Sequence, residues 1–298
     1  MKRVNSKSVI LLLLTAVIWG TAFVAQSAGT DYAEAFTFNC IRSFMGGIVL
    51  IPCIYFLDRG QKKRNEVKHQ DSKTLIIGGI LCGVLLFIAS NLQQIGIQYT
   101  TAGKTGFITA LYIVLVPVLG LVLRKYVGLQ VWMGVLLAAL GLYLLCITER
   151  FSIGAGDGYI LACAVCFSIH ILVIDYFSPK VDGVKMSCIQ FFVCGLLSSV
   201  PMFVWESPDP KLLLQGWFPL VYTGVMSCGI AYTLQIVGQR NMDPTIASLI
   251  LSLEAVISVL AGFFILGERL TLREMAGCIL MFAAIILAQL PKKVRTPR

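Results

Sequence analysis

Ten stretches of mostly apolar residues, at 8–28, 33–57, 74–97, 102–123, 129–147, 158–177, 186–205, 217–238, 244–266 and 272–290, occupy nearly all of this 298-residue chain. A bilayer core about 30 Å thick is crossed by a helix of about 20 apolar residues, so each stretch predicts one transmembrane helix. The joints between them are short and leave no room for a soluble domain. The chain therefore reads as one all-α membrane domain, residues 1–298. Apolar residues make up 57% and charged residues 13%, too oily a balance for a water-facing surface.

The formal charge of +9 does not make a nucleic-acid binder, because the basic residues lie between and outside the spans and build no groove. Their distribution reports topology instead. On the side of the N-terminus fall 18 of the 24 Lys and Arg, including Lys2, Arg3, Lys7, Arg124, Lys125, Lys180, Lys185, Arg240 and six between residues 59 and 73. The other side carries Lys104, Arg150, Lys211, Arg269 and Arg273. The positive-inside rule then predicts that both termini are cytoplasmic. The basic loop 58–73 fits that rule, with contact to anionic lipid headgroups as a weaker alternative. The first span begins like a signal peptide, but nine more follow and it reads as a retained anchor.

The chain divides near Gly154, Gly156 and Gly158 into two groups of five spans, 8–147 and 158–290. An odd number of crossings per half inverts the second half. The run Ala16, Val17, Ile18, Trp19, Gly20 parallels Ala164, Val165, Cys166, Phe167, Ser168. Two inverted five-helix repeats can exchange conformations about a central site, which points toward transport. Gly46, Gly47, Gly79, Gly83, Gly134, Gly141, Ala284 and Ala288 are placed for close helix packing. Pro52, Pro117 and Pro219 are expected to interrupt their spans, and Pro244 to begin one.

Arg42 and Glu254 fall well inside spans, where a lone charge costs about 2.5 to 3.5 kcal/mol. Glu254 is a protonatable coupling group, a contact for a cationic part of a substrate, or a neutral acid hydrogen-bonded between helices. Arg42 is a structural residue at an inner junction or gate, or a direct substrate contact. Asn91, Gln94 and Gln98 share one helix face, and so do Tyr232, Gln235 and Gln239. Amides in hydrocarbon need partners, so each stripe points into the bundle, to join helices or to line a wet cavity. Trp19, Phe23, Tyr112 and His170 can supply an aromatic wall or ordinary packing.

The ten cysteines lie in or at the ends of apolar spans and read as small packing residues, Cys163 and Cys166 included. No cofactor or metal site is expected. Gly103, Lys104 and Thr105 imitate the end of a phosphate-binding loop, but Gln98 stands where that loop needs glycine. A nucleophile elbow and a zinc-protease motif are both missing, so no enzyme is expected.

Taken together, these residues resemble the EamA type of the drug/metabolite transporter superfamily, over the whole chain. The resemblance rests on Trp19 and Gly20, on Ile41 and Arg42, and on the run from Asn91 to Gly96 leading into Thr101, Ala102, Gly103 and Lys104. It rests also on Leu253 and Glu254 followed by Leu266, Gly267, Glu268, Arg269 and Leu270. Two departures are Ala255, where proline often follows the glutamate, and Arg124 with Lys125, where Gly-Glu is common. The resemblance implies a cavity built mainly from spans 1 to 4 and 6 to 9, with spans 5 and 10 peripheral and available for homo-oligomer contacts. It also implies export of small polar metabolites, amino acids or related compounds, from the bacterial cytoplasm. Trp19, Asn91, Gln94, Tyr112, Tyr232, Gln235 and Glu254 are placed toward the substrate, and Arg42 near the cytoplasmic closure. Exchange for protons at Glu254 is the leading expectation. The competing readings are an uncoupled facilitator or uptake carrier, and a scaffold or sensor that moves nothing.

Overall fold

A computed structural model describes residues 6–63, 71–100, 102–124, 127–146, 154–240, 242–266 and 271–289. The run from Gly267 to Leu270, part of the basic loop and the basic tail lie outside the described residues. Among those described, every regular element is a helix. The first three are α1 (Ser6–Gly29), α2 (Ala35–Lys63) and α3 (Ser72–Ile97). Then come α4 (Ala102–Ala110), α5 (Tyr112–Val122), α6 (Leu129–Cys146), α7 (Ala155–Phe177) and α8 (Gly183–Trp205). The short α9 (Pro210–Gln215) and α10 (Trp217–Val221) lead into a π-helical segment, Tyr222–Tyr232, which continues as α11 (Thr233–Gln239). Last come α12 (Pro244–Leu251), α13 (Leu253–Leu266) and α14 (Leu272–Gln289).

Helix starts follow the local sequence. Asp182 caps α8 by accepting from the N–H groups of Val184 and Lys185, and Asp243 caps α12 by accepting from Thr245. Pro244 occupies the first turn, where a missing N–H costs nothing. Asp71 caps α3 in the same way, and the bonds it accepts, first from the Thr74 side chain, hold its carboxyl below the usual range.

The exterior of the bundle is apolar, and many of its polar side chains are gathered inside, unlike a water-soluble protein. Thr15, Ser90, Gln93, Gln94, Ser168, Gln190 and Ser198 are buried, while Leu136, Leu196, Phe203, Phe264 and Ile286 are exposed. An exterior this apolar suits lipid and not water. Eight segments among the described residues are long and apolar enough to cross a membrane, against the ten predicted. The two predicted spans outside that set correspond to α6 and α14, which pack against each other.

Elsewhere α2 packs on α8 and on the π segment, and α3 packs on α7 and α8. Helix α1 packs on α13, the π segment and α11, while α4 and α5 pack on α7. The small residues sit at these contacts. A Cβ on Gly79 would lie 2.5 Å from Ile189 Cγ2, and one on Gly83 2.6 Å from Val193 Cβ. On Gly141 it would lie 2.9 Å from the Gly277 carbonyl oxygen.

Two spans are broken near their middles. Between α4 and α5, Leu111 forms a turn whose N–H reaches the Ile108 carbonyl (3.2 Å) and whose carbonyl accepts from Val114 (3.0 Å). Between α12 and α13, Ser252 plays the same part, accepting from Ala255 at 3.1 Å. The first break precedes Pro117, which removes an N–H and crowds the carbonyl four residues back. The second has no proline. There the hydroxyls of Ser248 and Ser252 bond back to the carbonyls of Thr245 (2.9 Å) and Leu249 (2.8 Å), a habit that bends helices. Pro52, by contrast, lies inside α2 without ending it, and Pro219 falls within α10, just before the π segment.

Candidate substrate cavity

The broken spans and the π segment each contribute to the wall of a small cavity of about 30 Å³. Helix α1 contributes Trp19, Phe23 and Gln26, spaced to share a face. Arg42 comes from α2, Gln93 from α3, Thr109 from α4, Tyr112 from α5, and Phe167 with Ile171 from α7. The π segment adds Ser227 and Tyr232, α11 adds Gln235, and α13 adds Glu254. Seven of the ten predicted spans thus supply lining residues, while α6, α8 and α14 supply none.

Both helix breaks deliver a side chain to the same point. Tyr112 follows the turn at Leu111, Glu254 follows the turn at Ser252, and the tyrosine hydroxyl donates to Glu254 Oε1 at 2.9 Å. Helix α1 can approach this point because residue 20 is glycine. A Cβ there would lie 2.6 Å from the Glu254 carbonyl oxygen and 2.5 Å from Ile257 Cβ. Trp19, beside it, rests against Tyr232 with ring centroids 4.6 Å apart. Phe191 and His170 hold Tyr232 from behind, at 5.5 and 6.1 Å.

Of the residues predicted for substrate contact or gating, Trp19, Arg42, Tyr112, Tyr232, Gln235 and Glu254 meet on this cavity. Asn91 and Gln94 do not. Asn91 accepts from Asn39 Nδ2 (2.9 Å) and donates to the Phe87 carbonyl (2.7 Å) and to Ser198 Oγ (3.1 Å), joining α2, α3 and α8. Gln94 donates to the backbone carbonyl of Gln26 at 3.1 Å, joining α3 to α1. The amide that α3 does offer to the cavity is Gln93, which donates to Thr109 Oγ1 at 3.1 Å. One residue of offset is about 100° of helix rotation, so Asn91 and Gln94 face neighbouring helices instead. Gln98 is exposed at the end of α3, and Gln239 donates to the Ile171 carbonyl at 3.4 Å. His170 is buried with Nε2 3.2 Å from Gln190 Oε1, a contact between α7 and α8.

Arg42 lies nearer one end of its helix than the other. It lies about 10 Å from the start of α2 and about 30 Å from its end, at 1.5 Å per residue. Helix α1 runs from the N-terminus toward that same start, so Arg42 sits in the half of the bundle away from the N-terminus. Its side chain is 5% exposed, with Cζ 5.5 Å from the centroid of Phe38.

Polar contacts also fasten the bundle ends. In the half nearer Arg42, the Glu206 carboxylate accepts from the N–H groups of Phe36 (2.8 Å) and Thr37 (2.6 Å) and from Thr37 Oγ1 (2.7 Å), holding the start of α2 to the end of α8. Lys104 pairs with Asp157 at 2.6 Å, tying α4 to α7. At the opposite end of the α2–α8 pair, Lys185 meets Asp58 at 2.9 Å. No group of three or more His, Cys, Asp or Glu side chains among the described residues is arranged to hold a metal ion.

A helical membrane protein with a polar cavity at the junction of two broken helices is the class this geometry defines. The EamA-like transporter family matches residues 6–147 and again residues 154–290, and the chain belongs to that family. It is 31% identical to an uncharacterized transporter of Archaeoglobus fulgidus, over 94% of this chain and 84% of that one. The uncharacterized transporter YoaV of Bacillus subtilis is 21% identical, over 93% and 94% of the two chains. A crystal structure of another protein superposes with a TM-score of 0.78 at 18% identity, covering 96% of this chain and 99% of that one, which supports the fold alone.

Proposed function

We propose that this chain is a secondary transporter that exports a small polar metabolite across the bacterial cytoplasmic membrane by alternating access, in exchange for protons taken up at Glu254. Both termini face the cytoplasm, and ten helices form two inverted repeats, 8–147 and 158–290. The observation that carries the reading is the meeting of Tyr112 and Glu254, from two broken helices, on a cavity reached by seven spans. Broken helices in corresponding halves are how transporters place polar groups at the membrane midplane.

The repeat is supported by the two successive family matches. Helix neighbours add support, because the first span packs on the eighth and ninth as the sixth packs on the third and fourth. The second and seventh spans pack on each other, and so do the fifth and tenth. Trp19 and Phe23 correspond to Phe167 and Ile171, and all four line the cavity.

Metabolite profiles of cells lacking and overproducing the protein identify the cargo as the compound that accumulates inside the former and outside the latter. With that cargo in proteoliposomes, a pH gradient drives uphill flux by the parent protein. Glu254→Gln is expected to abolish that gradient-driven flux while a weaker exchange at equal pH persists. Full gradient-driven flux in Glu254→Gln overturns the coupling. Flux that ignores the gradient in the parent protein makes it a facilitator instead.

A further inference from the structure

We propose that Arg42 is the carboxylate anchor of the solute site, and that the solute it selects is a zwitterion whose cationic group is taken by Glu254. This inference rests on reading the cavity as a transport site. Arg42 is 95% removed from solvent and lines the cavity, yet its guanidinium has no hydrogen bond or ion pair with any described residue, its one contact of note being the Phe38 ring. Five N–H donors in a fixed fork are left without an acceptor. A structural arginine at such depth is paired, because an unpaired buried charge is among the most destabilising features an interior can hold. Here the natural acceptor is a planar anion entering the cavity, and a carboxylate fits the fork with two parallel bonds.

Glu254 stands on the same cavity without pairing to Arg42. Tyr112 occupies its Oε1, and Oε2 has no hydrogen-bond partner among the described residues. Among the lining residues, the Trp19 indole N–H and the side-chain carbonyl oxygens of Gln26 and Gln235 are also buried without a hydrogen-bond partner. The wall thus carries one cationic and one acidic pole. A purely anionic solute would bring its charge toward Glu254, and a purely cationic one toward Arg42. A solute carrying both charges meets each pole with its opposite and enters without net charge. Phe167 and Ile171 leave an apolar wall for the rest of the molecule.

The test is counterflow in proteoliposomes containing the full chain, preloaded with the twenty standard α-amino acids as probe zwitterions and presented outside with the same pool carrying a radiolabel. Label is expected to accumulate. Unlabelled amino-acid amides, which keep the ammonium but lose the carboxylate, should compete at least about tenfold more weakly than the parent compounds, as expected for the loss of charged hydrogen bonds. The corresponding decarboxylated amines should compete as weakly as the amides. Arg42→Gln should lose counterflow by a similar factor, with partial rescue in Arg42→Lys. Should Arg42→Gln fail to assemble, the amide comparison reads the same anchor on the unaltered protein. Amides or amines that compete as well as their parents overturn the proposal, as does unchanged affinity in Arg42→Gln. Accumulation only from pools of labelled monoamines, monocarboxylates or sugars overturns it too, while leaving transport standing. Exchange from none of these pools counts against the transport reading itself.

Discussion

The cluster at Asn39, Asn91 and Ser198 and the cavity around Arg42 and Glu254 are built from the same kinds of buried polar side chain, yet the first closes on itself and the second does not. In the cluster, Asn39 donates to the Ser90 carbonyl and to Asn91, and Asn91 donates onward to Phe87 and Ser198. One carbonyl oxygen, Asn39 Oδ1, is left without a partner. In the cavity, a guanidinium, an indole N–H and two amide oxygens are left over. Buried polar side chains occur in both regions, and what separates a joint from a candidate binding site is the hydrogen bonding that remains undone. A buried network with all its donors used specifies helix positions, whereas one with donors and acceptors to spare is stable only beside a partner that comes and goes.

That distinction can be broken by substitution. The largest effect on stability is expected for Asn91→Leu, which strands the Asn39 amide and the Ser198 hydroxyl and should cost about 1 to 3 kcal/mol. Thermal unfolding in detergent measures this, and solute affinity of the folded fraction should be unchanged. A parallel loss of affinity would dissolve the boundary between the two regions. Tyr112→Phe should do the opposite, removing the bond to Glu254 and lowering transport several-fold. Its cost in stability should be at most about 1.5 kcal/mol, the size of one ordinary hydrogen bond. Flux and unfolding measured on the same preparation separate the two.

Smaller again is Gln235→Leu, which removes an acceptor that no described residue uses. Solute affinity should fall by about 0.5 to 1.5 kcal/mol, with stability unchanged or slightly raised. The smallest effect is expected at the Asp58–Lys185 pair, whose side chains are 39% and 32% exposed. Exposed ion pairs contribute about 0 to 1 kcal/mol, so Lys185→Ala should barely move the unfolding temperature. A large drop there would show the two ends of the α2–α8 pair to be fastened more evenly than their geometry implies.

Much of this was legible in the sequence, for a physical reason. Span length is fixed by bilayer thickness, so hydropathy located the helices to within a few residues. A charge in hydrocarbon is costly enough that Arg42 and Glu254 identified themselves. The proposed repeat pairs Trp19 with Phe167, and both line the cavity. Direction within a helix was harder to read. Spans in lipid have apolar residues on most of their surface, so periodicity does not say which polar face meets a neighbour and which meets the cavity, and Gln93 was missed beside Gln94. Gln26, Thr109 and Ser227 were also missed, being common residues with no cost that sets them apart. The break at Ser252 had only two serines four apart as its signal, Ser248 and Ser252. The π segment had none beyond Gly224 and Gly229, which relax the backbone without specifying its pitch.

That segment governs more than its own eleven residues. Winding closed by bonds between residues five apart brings side chains of that spacing onto one face, and Ser227 and Tyr232 are five apart and both reach the cavity. On ordinary helical pitch they would point well away from each other, and everything downstream, Gln235 included, would turn with them. The wall of the cavity is thus encoded in a pitch as well as in a composition. Removing a single residue between Tyr222 and Ser227 would leave every lining side chain in the protein and still take the wall apart.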